Sequence, residues 1–261
     1  MKIGYNRVGA AFTTNGTFVD DPSVMVSGRP GETARLTTPS SGDLTISAVH
    51  TASIVPGWFA IFNTTFPEGT AYTLSISGNT YAGVISKNPR GELLSIIMLP
   101  PGLAAAPTSS IDVAGLTASH LYDIGEYFVG QNIEIPILPD WGINQNDPTM
   151  VQRSVNQQPW IQRGVPYRTL NFSPAALIEG DMFGNGVTMP MDWEQLWAQL
   201  DRGKQCLYVP RWSNPDGSTS QNLINRTAIF GTASVPPQSK HAAGPWFSTT
   251  SVTVEESPTP T

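Results

Sequence analysis

Six carboxylates fall in one stretch of this 261-residue chain: Glu126, Glu134, Asp140, Asp147, Glu179 and Asp181. Two carboxylates held several ångströms apart are what glycosidic-bond hydrolysis needs, one as acid and the other as base or nucleophile. The spacing does not single out a pair. Glu126 and Glu134 sit in a strand pattern, the run EGD at 179–181 reads as a turn, and a chain with 20 acidic residues clusters them somewhere. The three histidines, His50, His120 and His241, have no i, i+3 or i, i+4 partner to make a zinc site and are expected at the surface or a rim. Serine is too common for its pairing with a histidine to indicate a nucleophile. A Gly-x-Ser-x-Gly elbow is absent, and GNG at 184–186 lacks the spacing and the lysine of a phosphate loop. Cys206 is the only cysteine, which rules out an internal disulfide and a cysteine-cluster metal site. The reading is a non-enzyme with no catalytic residue, no metal and no cofactor.

The tryptophans are the remaining candidates. Trp58, Trp193, Trp197 and Trp246 fall within strand or helix patterns, where a core explains them. Trp141 and Trp160 lie in a polar stretch, and Trp212 ends a strand before a loop. Aromatic faces on loops stack on sugar rings and anchor protein interfaces alike, so these three are the interface or ligand candidates. Each could instead staple its own loop to the body.

The elements that position these residues are mostly strands. GDLTISAVH alternates, with Leu44, Ile46 and Ala48 on one face. WFAIFNTTF (58–66) is apolar on both faces, as a central strand would be. GTAYTLSISG, ELLSIIMLP, SSIDVAGL and IGEYFVGQNIEIPI follow, separated by the turn signals PSSGD, FPEGT, SGNT and NPRGE. Short strands at such spacing predict an antiparallel β-sandwich over residues 1–135. Residues 136–261 read as a small α+β domain: strands YRTLNFS, CLYVPRW, RTAIFGTAS and WFSTTSVTVEE, with a loop tip at SNPDGSTSQN and a frayed SPTPT tail. Its single clear helix is DWEQLWAQLDRG, predicted over 192–202. Trp193, Leu196, Trp197 and Leu200 share one face, Asp192 caps the start with Gln195 in position to bond back, and Gly203 ends it. The helix is expected to lie as a lid on those four strands, with Cys206 reduced and packed beneath it. The segment 139–166 is polar and aperiodic, apart from Trp141, Met150, Val151, Val155 and Trp160. It reads as a long excursion that needs a neighbouring subunit to cover its apolar side chains.

Composition narrows the rest. Charged residues make up 13%, net charge is −6, and 24 Gly and 23 Pro accompany many Ser, Thr, Asn and Gln. Without a Lys/Arg run there is no electrostatic footing for nucleic acid. No apolar run is long enough for a membrane helix, and the N-terminus lacks the apolar core of a signal peptide.

The pieces NRV, RPG before AR, WFAIFNTTFPEGT, SGNTY and IGEYFVGQNIEI, continued by YRTLNFS, WEQLWAQLDRG and CLYVPRW, resemble a family of tailed-bacteriophage minor tail proteins. The resemblance implies a discoidin-like (galactose-binding-like) jelly roll first, then a sheet-plus-helix unit of the kind from which tails are built. It implies a structural role in a tail tip, baseplate or fibre attachment. The partners would be copies of the chain and other tail proteins, in a virion assembled in the host cytoplasm. The alternative is a carbohydrate-binding receptor-recognition module facing a host surface glycan.

Overall fold

In the computed structural model the described residues are 1–153, 159–184, 191–200, 204–234 and 238–257. The chain opens with β1 (Lys2–Tyr5), β2 (Ala10–Thr14), β3 (Thr17–Phe18), β4 (Ala34–Thr37), β5 (Leu44–Ile54) and β6 (Trp58–Thr64). It continues through β7 (Ala71–Ile76), β8 (Asn79–Val84), β9 (Ser86–Lys87), β10 (Leu93–Met98), β11 (Ala106–Val113) and β12 (Leu121–Glu134). Then come β13 (Gly142–Asn146), β14 (Met150–Arg153), β15 (Pro159–Gln162), β16 (Tyr167–Phe172), β17 (Leu177–Ile178), α1 (Glu179–Phe183) and α2 (Trp193–Gln199). The last are β18 (Cys206–Val209), α3 (Gln221–Thr227), β19 (Ile229–Ala233), β20 (Ser239–Ala243), β21 (Trp246–Thr249) and β22 (Val252–Glu256). The fold is mainly β, and the strand pairs are antiparallel.

Two compact units form, and each is discontinuous: Met1–Glu134 with Gln205–Ala228, and Ile135–Lys204 with Ile229–Thr261. The sequence placed one cut after residue 135. The segment carrying β18 instead joins the first unit, because β18 pairs with β1 (Ile3 opposite Tyr208). That pairing spans some 200 residues, so local pattern could not show it.

The first unit is an antiparallel sandwich. One sheet runs β2-β5-β11-β7-β8; the other holds β18-β1-β12-β6-β10-β9, with β4 on β12 and β3 on β4. WFAIFNT forms β6 between β12 and β10, and its apolar side chains are buried on both faces, as expected of a central strand. Ile46, Leu74 and Ile111 from one sheet meet Phe59, Ile61 and Tyr127 from the other in a single core. The Tyr127 ring sits edge-on to Phe12 and Phe59 at 5.2 and 5.0 Å.

SGNT is the turn of a hairpin that the sequence reading did not extend into β8. Ile76 pairs with Asn79, and Ser77 and Gly78 both take positive φ, the two-residue geometry that matches strand twist. In β8, Gly83 makes room for Tyr72, whose ring would lie within 2.5 Å of an added Cβ. A helix was also missed: α3 occupies what read as a loop tip and strand start. It is capped by the Ser220 hydroxyl and packs on β10.

In the second unit, β13-β16-β22-β19 form one run of paired strands, β17-β21-β20 a small sheet, and β14-β15 a separate hairpin. The predicted single strand 246–256 is therefore two strands in different sheets. Arg168 and Glu256 form a buried ion pair across β16 and β22, and the Arg168 backbone N–H also donates to Glu256. The predicted helix is shorter than expected. The Gln195 N–H donates to the Asp192 carboxylate at 2.7 Å, and the helix ends with Leu200 as its C-cap. Gly203, Val155 and the SPTPT tail from Pro258 on lie outside the described residues. EGD, read as a turn, begins α1. The lid expectation also changes: α2 packs on α1, and α1 packs on β17 and β21 of the small sheet. The strand of Cys206 belongs to the first unit, where the thiol is buried.

Candidate binding surfaces

Four of the six carboxylates read as a possible hydrolytic set, Glu126, Glu134, Asp140 and Asp147, have separate partners of their own. Glu126 is fully buried in the first unit. Its Oε1 accepts from Arg7 Nη1 at 2.6 Å and its Oε2 from the Gly28 N–H at 2.9 Å. Burial pushes this carboxyl up to about 7, against the opposing pull of Arg7. Glu134 pairs with Lys2 at 3.7 Å. Asp140 accepts from the Ser173 hydroxyl, and Asp147 from the Thr149 N–H; hydrogen bonds from the Thr149 hydroxyl and then its N–H hold the Asp147 carboxyl below its usual range. Asp181 is buried in α1, and Glu179 is exposed. Among the described residues no group of His, Cys, Asp and Glu is placed to hold a metal ion, and no helix is long and apolar enough to cross a membrane.

His50 corrects the surface expectation, whereas His120 and His241 are exposed. His50 is buried where β11 bulges against β5, with Nδ1 3.0 Å from the Ala106 carbonyl and Nε2 2.9 Å from the Ser109 hydroxyl. A carbonyl only accepts, so Nδ1 carries the proton and Nε2 accepts from Ser109. The Ser109 oxygen in turn accepts from the Tyr127 hydroxyl at 2.8 Å. The chain of donors runs one way, Tyr127 to Ser109 to His50 to Ala106, with each buried group satisfied. Burial lowers the His50 pKa and raises those of Tyr127 and Tyr72. The Ser–His contact is thus a core hydrogen bond.

The outer face of the five-stranded sheet carries hydroxyls. Register aligns Thr13, Ser47, Ser110, Ser75 and Thr80 in one row across its five strands. A shallow depression of about 520 Å³ lies over Ser47, Ser75 and Ser110.

The three tryptophans singled out are not brought together. Trp212 is in the first unit, half-buried, with Lys2 Nζ 4.0 Å from its ring centre, so a cation of its own chain covers it. Trp141 is half-buried just before β13. Trp160 is 57% exposed on β15.

The polar excursion is not aperiodic. It contains β13, which pairs with β16, and the β14–β15 hairpin, which among the described residues pairs only with itself. The hairpin's base is pinned: the Gly164 N–H donates to the Thr149 hydroxyl, and Pro148 packs where a Gly164 side chain would stand. Val151 lies opposite Ile161 on one face, 60% and 53% exposed. Met150 and Trp160, 54% and 57% exposed, lie on the other. Met150, Val151 and Trp160 were legible as apolar residues and Ile161 was not singled out; the strands were missed because apolar residues on both faces erase the alternation that marks a half-buried strand.

A second apolar feature lies where α1, α2 and the small sheet meet. Met182, Phe183, Trp193, Trp197 and Phe247 wall a pocket of about 350 Å³, with Glu194 and Ser239 as its polar lining. Trp193 and Trp197 meet edge-to-face at 5.6 Å, and Phe183 and Phe247 at 5.2 Å. Trp193, Leu196 and Leu200 of the predicted helix face are buried; Trp197 is half-buried. The sequence reading found the tryptophans but not the phenylalanines, which reach the pocket from α1 and β21. Trp246, assigned to a core, is 47% exposed on β21.

No protein-family model matches the chain, and no curated protein matches it. Among solved structures, the chain is similar to CBM32-1 from a family 31 glycoside hydrolase of Clostridium perfringens. The TM-score is 0.33 and the identity 13%, with 49% of this chain and 99% of that module covered.

Proposed function

We propose that this chain is a non-enzymatic structural subunit of a bacteriophage tail, in the tail tip, baseplate or fibre attachment. It works through contacts with copies of itself and neighbouring tail proteins. The β14–β15 hairpin carries the reading. A two-stranded hairpin alone is marginal in water, and one with a solvated side normally makes that side polar. This one exposes Val151 and Ile161 on one face and Met150 and Trp160 on the other. Such an arm suits insertion between surfaces of a partner that covers both faces. Burying its four side chains contributes at most about 1.5–3 kcal/mol each, from which the cost of association is subtracted. The tail setting comes from the motif resemblance, and the partners that Glu126, Glu134, Asp140 and Asp147 have within the fold support a non-enzymatic role.

Two measurements test the proposal. Mass spectrometry of purified phage particles should find the chain at a fixed stoichiometry. Val151→Ser with Ile161→Ser should leave the isolated protein's melting temperature unchanged and abolish its incorporation into tails. Absence from particles, or normal incorporation of the double variant, overturns the reading.

A further inference from the structure

We infer that the pocket between α1, α2 and the small sheet is a binding site for a small trimethylammonium compound of the choline type, a function separate from the assembly role. The walls decide the chemistry. Two edge-to-face ring pairs, Trp193–Trp197 at 69° and Phe183–Phe247 at 87° between planes, set aromatic surfaces at steep angles to one another, so they form a box and not a flat platform. The indole N–H groups of both tryptophans are buried and have no hydrogen-bond partner; Trp193, 2% exposed, backs the box, and the surface that half-buried Trp197 gives the pocket is carbon. Ring carbon surface attracts a cation through its quadrupole and offers no hydrogen bond to a hydroxyl.

Among the described residues the charged lining residue is Glu194, exposed at the start of α2, and no basic side chain lines the pocket. A chain of net charge −6 adds to the preference for a cation. A saccharide fits less well. Sugar rings need several converging donors and acceptors beside the aromatic surface, and here Glu194 and Ser239 are the polar lining. A trimethylammonium group needs none, since its methyls present diffuse charge without hydrogen-bond donors. The pocket's size, about 350 Å³, lies in the range of small-molecule sites. His241 meets Phe247 edge-to-face at 5.3 Å, with Nε2 2.7 Å from the Gly244 carbonyl.

The test uses the full chain at a fixed pH of 8, with choline, its uncharged isostere 3,3-dimethylbutan-1-ol, and glucose as probes. Tryptophan fluorescence and ligand NMR line broadening report binding. Choline should bind saturably, and the isostere about tenfold more weakly, because the charge supplies the attraction. Phe183→Ala and Glu194→Gln replace exposed side chains, so the fold should survive, and each should weaken choline binding several-fold; melting curves check the fold. Three results would overturn the assignment: no saturable choline binding, an isostere that binds as tightly as choline, or glucose that saturates the pocket in its place.

Discussion

The two units treat their surfaces in opposite ways. The first puts its aromatic residues inside and lines the outer face of its five-stranded sheet with hydroxyls. Its exposed large apolar residues, Val19, Val49, Val55, Val84 and Leu121, are aliphatic and dispersed along the chain. The second unit exposes Trp160, Phe183 and Trp246 together with Met150, Val151 and Ile161. Both units leave buried donors without acceptors, the Tyr208 hydroxyl in the first and two indole N–H groups in the second. A buried unsatisfied donor costs about 1–3 kcal/mol, and clustered exposed apolar side chains mark binding surfaces. The first unit keeps its aromatic surface in its own core; the second presents aromatic and aliphatic side chains to solvent. What the difference teaches is which unit offers apolar surface to a partner or ligand: the second far more than the first.

The comparison breaks most directly at the cores. Phe59→Ala removes a ring fully buried between the sheets and should cost about 3–5 kcal/mol in urea unfolding. Trp197→Ala in the second unit removes a ring that is only half-buried and should cost distinctly less, because fewer of its contacts are lost. Equal losses would show that the second unit is packed as completely as the first.

A smaller effect should follow from interrupting the donor chain of the first unit. Ser109→Ala leaves the Tyr127 hydroxyl without its acceptor and His50 Nε2 without its donor, at a cost of about 1–3 kcal/mol. A neutral outcome would mean that the chain of hydrogen bonds adds nothing to the scaffold.

Acid sharpens the contrast further. The His50 pKa is lowered in the fold, so the unfolded chain binds the proton first. The stability that this group contributes is present above the usual histidine value near 6.5 and is lost as pH falls through its folded pKa. Glu126 works in the opposite direction. Its carboxyl is raised to about 7, so its ionisation costs stability above that pH, and the cost is relieved as pH falls toward the usual glutamate value. The two therefore oppose each other as pH falls below about 6.5, where the unfolded chain begins to protonate His50 while Glu126 is already gaining stability. Glu126→Gln should steepen the loss of stability on acidification, followed as melting temperature against pH, and His50→Gln should flatten it. Unchanged slopes in both variants would place the pH response elsewhere.

The smallest effect belongs to the arm. Trp160→Ser should shift the stability of the isolated chain by no more than about 0.5 kcal/mol, as surface substitutions do. Amide exchange along 139–166 should be fast on the hairpin in the isolated protein and slow in assembled particles. Strong protection of the hairpin in both states would remove the contrast between the units.

Local pattern determined much of this molecule. The buried run of β6, the alternation of β5 and β7, and the Asp192 cap with Trp193, Leu196 and Leu200 on one helix face all follow from periodicity and side-chain chemistry within a dozen residues. Composition likewise indicated a β-rich, turn-rich chain. What periodicity could not reach was anything set by distant pairing. β18 joins β1 across the chain, so one cut between domains became two discontinuous units. Glu126 looked like a strand carboxylate until Arg7 and Gly28 closed around it. His50 read as a rim histidine until the bulge in β11 brought Ser109 to its Nε2. The aromatic pocket draws its rings from α1, α2 and β21, with Phe183 and Phe247 64 residues apart, and its tryptophans alone read as core. A side chain's rotamer and period are local properties, legible one residue at a time. Its burial, charge state and partners depend on which strands meet it in space, and only the tertiary fold decides that.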